Sequence, residues 1–445
     1  MSKPKNDSVR PDGINLPANR RKFIGTLSAA AAAMHVSGGI FSETSAEEST
    51  AASDTIRIGL VGAGGRGGGA IIDSLSINKN IVLHAIADFD PNTPARLING
   101  LSDQFEGSID VPTERMYGGL DGYRRILDDP AVDLVLFATP PGFRPGHLKD
   151  AVAAGKNIFA EKPSCVDPAG YRTCIDVHNR AIEQKTSIVT GTQYRRQTNY
   201  VAAIDKLREG AIGDIVSATS RYCSNGIWYR AKRDGMSDTE YQIYNWMHFI
   251  WLSGDQIAEQ AVHNIDLMNW IMDSPPESAF GGGGRFTRPD DSEMWDSMSI
   301  DYQYPGNRFI SFKCRQIPDS ATENETVIQG TDGTMKIYGG NTGSFIYDGD
   351  NKEVWSMTGD IGIAYQQEHK DLIDAIRNDT PIVELEETAK SSLTAVMGRM
   401  AAYTGQNVTW EFVTDKSTLS LFPDPLDLKA SRESQYAIPG TTKLV

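Results

Sequence analysis

The sequence predicts an α/β fold in two parts: an N-terminal doubly wound parallel sheet, then an α+β region with a large open, mainly antiparallel sheet. Three observations carry that prediction. A short apolar run at Ile56–Val61 breaks into Gly62-Ala63-Gly64-Gly65-Arg66-Gly67 and then into a helical pattern, the order of a dinucleotide-binding unit. From residue 55 to residue 163, apolar runs typical of buried strands alternate with helices, as parallel sheets require. After Ile215 the chain turns to alternating segments divided by Gly, Asn and Asp, the mark of antiparallel pairing.

In the G-x-G-x-x-G, Gly62 permits the tight turn, Gly64 lets the backbone approach a pyrophosphate, and Gly67 packs helix against strand. Gly65 and Arg66 complete the turn, and the helix N-terminus faces the anion. Ile81–Ile86 reads as the next buried strand and ends at Asp88, about 20 residues on, where an acid bonds the adenosine ribose. Asp88 predicts NAD as cofactor, because a carboxylate repels the 2'-phosphate of NADP, and Phe89 stands where a basic residue often accommodates it. A loop glycine cluster with an incidental strand-end Asp is the competing reading, and the matched context argues against it.

Leu134–Phe137 and Asn157–Ala160 are continuous apolar runs of buried parallel strands, with a helix over Gly146–Ala154 closed by Gly155 between them. Thr139-Pro140-Pro141 and Glu161-Lys162-Pro163 follow two strand ends, where such sheets place ligands. Residues 55–163 are thus expected to form an NAD-binding Rossmann domain. Further on, the spacing predicts helices over Asp167–Gln184 and Tyr200–Glu209 with a strand at Thr186–Thr190 between them. Ser297–Tyr304, Arg308–Cys314, Thr326–Gln329 and Thr334–Tyr338 read as antiparallel strands, and helices return at Tyr365–Arg377 and Glu386–Tyr403. The second domain is expected over residues 164–414, and the polar tail 415–445 is expected to wrap the surface.

Residues 1–54 do not read as folded domain. Arg20-Arg21-Lys22-Phe23-Ile24-Gly25 and the Ala-rich run Leu27–Val36 form the pattern of a twin-arginine export signal, which predicts a periplasmic protein. The run is too short to span a membrane. A disordered tail with an incidental arginine pair is the bland alternative. Twin-arginine export carries folded proteins, which suits an enzyme that takes its nucleotide in the cytoplasm. The net charge of −15 argues against a nucleic-acid partner. Cys165, Cys174, Cys223 and Cys314 show neither C-x-x-C nor histidine spacing, so no metal site is indicated. Buried thiols are the default, with a Cys165–Cys174 disulfide left open should the protein be exported.

GAGGRG, Asp88, the run from ATPP through AAGKNIFAEKP, and a later carboxylate-x-x-x-His pair occur in an order and spacing that resemble the Gfo/Idh/MocA oxidoreductase family over residues 55–410. The resemblance implies that Lys162 sits beside the nicotinamide and the substrate hydroxyl as a catalytic residue, and that Glu161 contacts the nicotinamide ribose. An ammonium there stabilises alkoxide character and takes part in proton relay. In Glu259-Gln260-Ala261-Val262-His263, helical spacing puts Glu259 and His263 on one face, a base and its neighbour, with Asp266 next on the run. The family usually has Asp where this chain has Glu259. Thr139, Pro140 and His147 are placed at the cofactor, His147 as a brace.

Between Tyr222 and Leu252 the chain collects Trp228, Tyr229, Tyr241, Tyr244, Trp246, Phe249 and Trp251 with Arg230, Lys232 and Arg233. Such composition suits stacking on a sugar ring and equally an interface between copies, since relatives commonly oligomerise. Tyr194, Arg196, Trp246 and Asp266 are the substrate-binding candidates, with Gln193, Arg195 and Asn245 near the same cleft. The implied function is an exported NAD-dependent oxidoreductase acting on a sugar, polyol or glycoside hydroxyl. Its cofactor is held and recycled, as in glucose-fructose oxidoreductases. The alternatives are a redox-neutral glycosidase like those of glycoside hydrolase family 109, and a non-catalytic member that binds carbohydrate or nucleotide.

Overall fold

The computed structural model describes residues 55–445. Its first sheet is wholly parallel and has six strands: β1 (Ile56–Val61), β2 (Ile81–Asp88), β3 (Met116–Gly118), β4 (Leu134–Phe137), β5 (Asn157–Ala160) and β6 (Ile188–Thr190). They lie in the order β3-β2-β1-β4-β5-β6, which reverses between β1 and β4 and so opens a ligand crevice at their carboxyl ends. Every residue of β4 is buried, because helical crossovers cover both faces of the sheet.

The sheet takes in β6, which lies beyond residue 163, where the sequence reading ended the first domain. A parallel neighbour needs a crossover, and the helix Pro168–Gln184 supplies it. Asp167 caps that helix by accepting from the Gly170 amide at 2.6 Å.

The second sheet has nine strands: β7 (Ile215–Ser224), β8 (Ser278–Gly284), β9 (Ser297–Tyr304), β10 (Arg308–Gln316), β11 (Glu323–Gly330), β12 (Gly333–Tyr338), β13 (Gly343–Asp348), β14 (Glu353–Met357) and β15 (Val408–Thr409). Their order is β14-β13-β12-β11-β7-β10-β9-β8-β15, and only the β7–β10 pair is parallel. Met298, Ile300, Tyr302 and Tyr304 of β9 face inward and are buried, whereas Ser299 and Asp301 face out, the alternation of a one-sided sheet. Phe280 of β8 and Phe309 of β10 are exposed on that outer face.

The helix Leu385–Thr404 lies between the sheets, packed on the helix Pro168–Gln184 and on β8 and β9, and is buried almost all round. Its small residues permit this: a Cβ at Gly398 would stand 2.0 Å from the Tyr302 hydroxyl. A further apolar cluster joins Tyr241, Phe249, Trp251 and Leu252 to Phe89 and Phe143 of the first domain and to Phe422 and Leu428 of the tail. The tail lies against the body, with the Leu421 amide donating to Asp167 at 2.6 Å. All four cysteines are free thiols, so the Cys165–Cys174 disulfide left open above is not formed. The export signal read at Arg20-Arg21 lies outside the described residues. Among the described residues no helix is long and apolar enough to cross a membrane.

Candidate functional site

The glycine turn is built as its chemistry requires. Gly62 has φ +91°, and a Cβ there would lie 2.8 Å from the Ala138 carbonyl carbon. A Cβ on Gly67 would lie 1.8 Å from the Gly62 oxygen, so only glycine lets the helix start so close to the strand. At Gly64 and Gly65 a Cβ would meet nothing within 4 Å. That open space adjoins the N-terminus of the helix Gly65–Ile77, which has neither a side-chain cap nor an acidic residue in its first turn. A pyrophosphate fits there. Asp88, at the end of β2, accepts from the amides of Ala63 at 2.8 Å and Asp90 at 3.0 Å, which aims its carboxyl at the turn. Burial raises the Asp88 pKa above the usual carboxylate value, against those hydrogen bonds. The cradle, the uncapped helix and the strand-end acid fit a dinucleotide.

Across the crevice, Thr139 Oγ1 meets His147 Nδ1 at 3.2 Å. The His147 ring is enclosed by Tyr123, Phe137 and Phe143, with centroids 4.3, 5.4 and 5.8 Å away. Burial lowers its pKa to about 3, so it stays neutral and braces the Thr139 turn. The buried Arg144 donates to the carbonyls of Thr139 and Pro163, tying the loop after β4 to the loop after β5. The Lys162–Pro163 peptide is cis.

These loops open on a cleft of about 270 Å³. Lys162, Glu259 and His263 line it together. Lys162 Nζ donates to the Glu259 backbone carbonyl at 2.5 Å and to Glu259 Oε1 at 3.2 Å. His263 is half-buried, and its pKa is held well below the ordinary value, first by burial and then by the cations Lys162 and Arg66. It is therefore a neutral imidazole that can accept a proton. Glu161 pairs with Arg66 Nε, and Arg66 lies over the Tyr365 ring, 4.7 Å from its centroid. Gln193 Nε2 donates to the Tyr365 hydroxyl at 3.2 Å.

Glu259 and His263 do not share one helix. Glu259 ends the helix Asp255–Glu259 and His263 stands in Val262–Met272, with a break at Gln260 and Ala261 that delivers both side chains to the cleft. The longer side chain of Glu259 reaches Lys162.

Four sequence candidates stand elsewhere. Arg196 is committed to Asp371 at 2.8 Å and Glu384 at 2.5 Å. Asp266 accepts from Arg195 twice at 2.9 Å and from Ser391 at 2.7 Å. Both charges are mostly buried and need such partners, and neither is among the residues that line the cleft. Tyr194 stacks on Tyr200 at 4.3 Å, behind His263. Pro140 gives way to Pro141 in the lining, while Trp246 does line the cleft. Arg144, Gln260 and Tyr365 line it too, without any signal in the sequence reading. Among the described residues no cluster of His, Cys, Asp or Glu could hold a metal ion.

Residues 56–189 match the family model described as "Oxidoreductase family, NAD-binding Rossmann fold", and residues 200–336 match that of the "GFO/IDH/MocA C-terminal domain". The inositol 2-dehydrogenase of Acidothermus cellulolyticus is 23% identical over 246 residues, 55% of this chain and 62% of that protein. A glycosyl hydrolase family 109 protein of Streptomyces coelicolor is 26% identical over 173 residues, 39% of this chain and 35% of that protein. The chain thus spans less than two thirds of the length of either relative. A levoglucosan dehydrogenase solved with NADH and levoglucosan superposes with a TM-score of 0.64 at 16% identity, covering 80% of this chain and 99% of that one. The WlbA dehydrogenase of Bordetella pertussis, solved with NADH and UDP-GlcNAcA, gives a TM-score of 0.61 at 19% identity, covering 80% and 98%. At such identities the solved structures establish the fold.

Proposed function

Because the chain belongs to the Gfo/Idh/MocA oxidoreductase family and carries its NAD-binding Rossmann domain, we propose that it oxidises a hydroxyl-bearing carbon of a sugar, polyol or glycoside. The observation that carries this reading is the meeting of Lys162, Glu259 and His263 in one cleft beside the glycine turn. NAD, when bound, supplies the acceptor for the hydride. His263, neutral at physiological pH, takes the hydroxyl proton. Lys162 stabilises the developing alkoxide with its ammonium, and Glu259 holds that ammonium in place through two hydrogen bonds. Arg66, held by Glu161, presents positive charge at the glycine turn. Trp246 offers an apolar wall for a sugar ring.

The test is absorbance at the NADH band with the purified protein, added NAD and a panel of sugars and polyols. Reduction by the wild type that fails in Lys162→Ala and His263→Ala supports the reading, and equal rates in all three overturn it. The glycosyl hydrolase family 109 likeness favours a second reading, a redox-neutral glycosidase on the same site. It predicts release of free sugar from a glycoside with no net NADH. We further propose export by the twin-arginine route to the periplasm with the cofactor retained, and assembly into a homo-oligomer, supported by the exposed Phe280 and Phe309 on the open sheet. Nucleotide released on denaturing the purified protein tests retention.

A further inference from the structure

At the mouth of the cleft, the irregular stretch between β7 and the helix Asp238–Tyr244 presents a row of rings and guanidinium groups. Trp246, in the cleft wall, meets Trp228 edge to face with centroids 5.9 Å apart. The Arg230 guanidinium lies between Trp228 and Tyr244, 4.4 and 5.0 Å from their centroids, and Arg233 lies 4.2 Å from that of Tyr244. Trp228 is 38% exposed, so the row leads from the cleft to solvent.

Two facts separate this row from an ordinary surface loop. First, its charge is uncompensated. Among the described residues neither Arg230 nor Arg233 meets a carboxylate at ion-pair distance, whereas the neighbouring Lys232 pairs with Asp238 at 2.5 Å. Arg230 spends one Nη1 donor on the Tyr244 carbonyl at 2.8 Å and Arg233 one Nη2 donor on the Tyr244 hydroxyl. Their other donors remain, in a chain of net charge −15. Second, buried polar groups hold the row in place. His248 bonds the Trp228 carbonyl and the Ser292 hydroxyl, each at 2.9 Å, and Asn245 accepts from the Arg230 amide at 3.0 Å. His248, Asn245 and Ser292 are all buried, and burying such groups is costly unless each is satisfied. The satisfied network keeps an exposed surface rigid, which is how a recognition surface is pre-organised.

We propose that Trp228, Arg230, Arg233 and Tyr244 form a second carbohydrate subsite that takes an anionic sugar unit, its carboxylate or sulfate on the arginines and its ring on the aromatic row. Planar guanidinium donors suit both anions, and the flanking rings exclude water from one side of the contact. The inference rests on the reading of the cleft as a sugar-oxidising site and extends the substrate outward: the unit in the cleft is linked to a charged one.

The experiment is binding of the purified holoprotein to an array of uronate-containing, sulfated and uncharged oligosaccharides. Binding restricted to charged members and weakened about ten-fold or more in Arg230→Gln and Arg233→Gln is expected. Preference between uronate and sulfate then identifies the anion. Binding of uncharged members as strongly as charged ones, no binding at all, or wild-type binding by both arginine variants overturns the subsite. Trp228→Ala provides a variant with charge unchanged, and wild-type binding by it also overturns the row as drawn. Because binding is read without turnover, charged-sugar binding leaves the subsite standing even where the comparison of wild type with Lys162→Ala and His263→Ala overturns the oxidising reading of the cleft.

Discussion

Replacing Glu293 by Gln is expected to flatten the pH dependence of stability. Glu293 is buried; its Oε2 accepts from the Ile250 amide at 2.9 Å and its own amide donates to the His248 carbonyl at 2.9 Å. Burial pushes its carboxyl from 4.5 up to about 7, against hydrogen bonds from the Ile250 and Gln435 amides and the charge of Arg432. Between those values the folded chain keeps a proton that the unfolded chain has released. The contribution is therefore complete below pH 4.5 and is lost as pH rises through 7. At about 1.4 kcal/mol per pH unit, the full loss is about 3 kcal/mol. Gln at this position keeps an oxygen for the Ile250 amide and has no proton to lose. Urea unfolding at pH 5 and pH 8 measures the difference: the wild type is expected to lose more stability than Glu293→Gln, by up to about 3 kcal/mol. Parallel losses in the two proteins would refute the reasoning.

Lys162→Met and His263→Asn are each expected to lower kcat/KM by about 10²- to 10⁴-fold with nucleotide binding retained, checked by steady-state rates beside fluorescence titration of NADH. Because burial and two cations hold the His263 pKa well below its ordinary value, the base stays deprotonated as pH falls. The acid limb of kcat/KM for the wild type is then expected well below pH 6.5; a limb at or above 6.5 that His263→Asn removes would contradict the lowered pKa, and an acid limb unchanged in His263→Asn would count against its role as base. Asp88→Ala is expected to weaken NAD binding by about 10- to 100-fold and to narrow the preference over NADP, read by titration with both nucleotides. Gly67→Ala, whose Cβ would overlap the Gly62 oxygen, is expected to abolish nucleotide binding with a lowered melting temperature; unchanged binding would contradict the turn geometry.

Some of this was legible in the chain and some was not, for physical reasons. Leu134–Phe137 and Asn157–Ala160 were readable because a strand covered on both faces leaves an uninterrupted apolar run. Ser297–Tyr304 was readable because a one-sided sheet leaves alternation. β8 left neither, since four of its residues are glycines without side chains to alternate, and a Cβ at Gly283 would stand 2.0 Å from the Ser297 carbonyl oxygen. In the site, the glycine turn was visible because backbone chemistry fixes its place next to a strand end, and Lys162 because the Glu161-Lys162-Pro163 run after a strand resembles the family's motif. Arg196, after a strand end, and Asp266, on a helix beside His263, turn out to be paired with charges of the protein itself, because a charged residue looks the same in sequence whether it meets a ligand or a buried partner. Tyr365 left no trace, since the helix that brings it to the cleft returns from far along the chain. The spacing of Glu259 and His263 suggested a shared face on one helix, whereas a broken helix brings both side chains to one cleft.

Arg144 fixes a length. One of its guanidinium nitrogens holds the Thr139 carbonyl, on the loop beside His147, and the other holds the Pro163 carbonyl, next to Lys162. The two walls of the crevice are therefore spaced by a single planar group a few ångströms across. Moving one loop without the other would break a hydrogen bond to the buried guanidinium, so the two are tied to one another. Shortening this one strut, as in Arg144→Lys, would untie the two walls without altering any side chain of Lys162, Glu259 or His263.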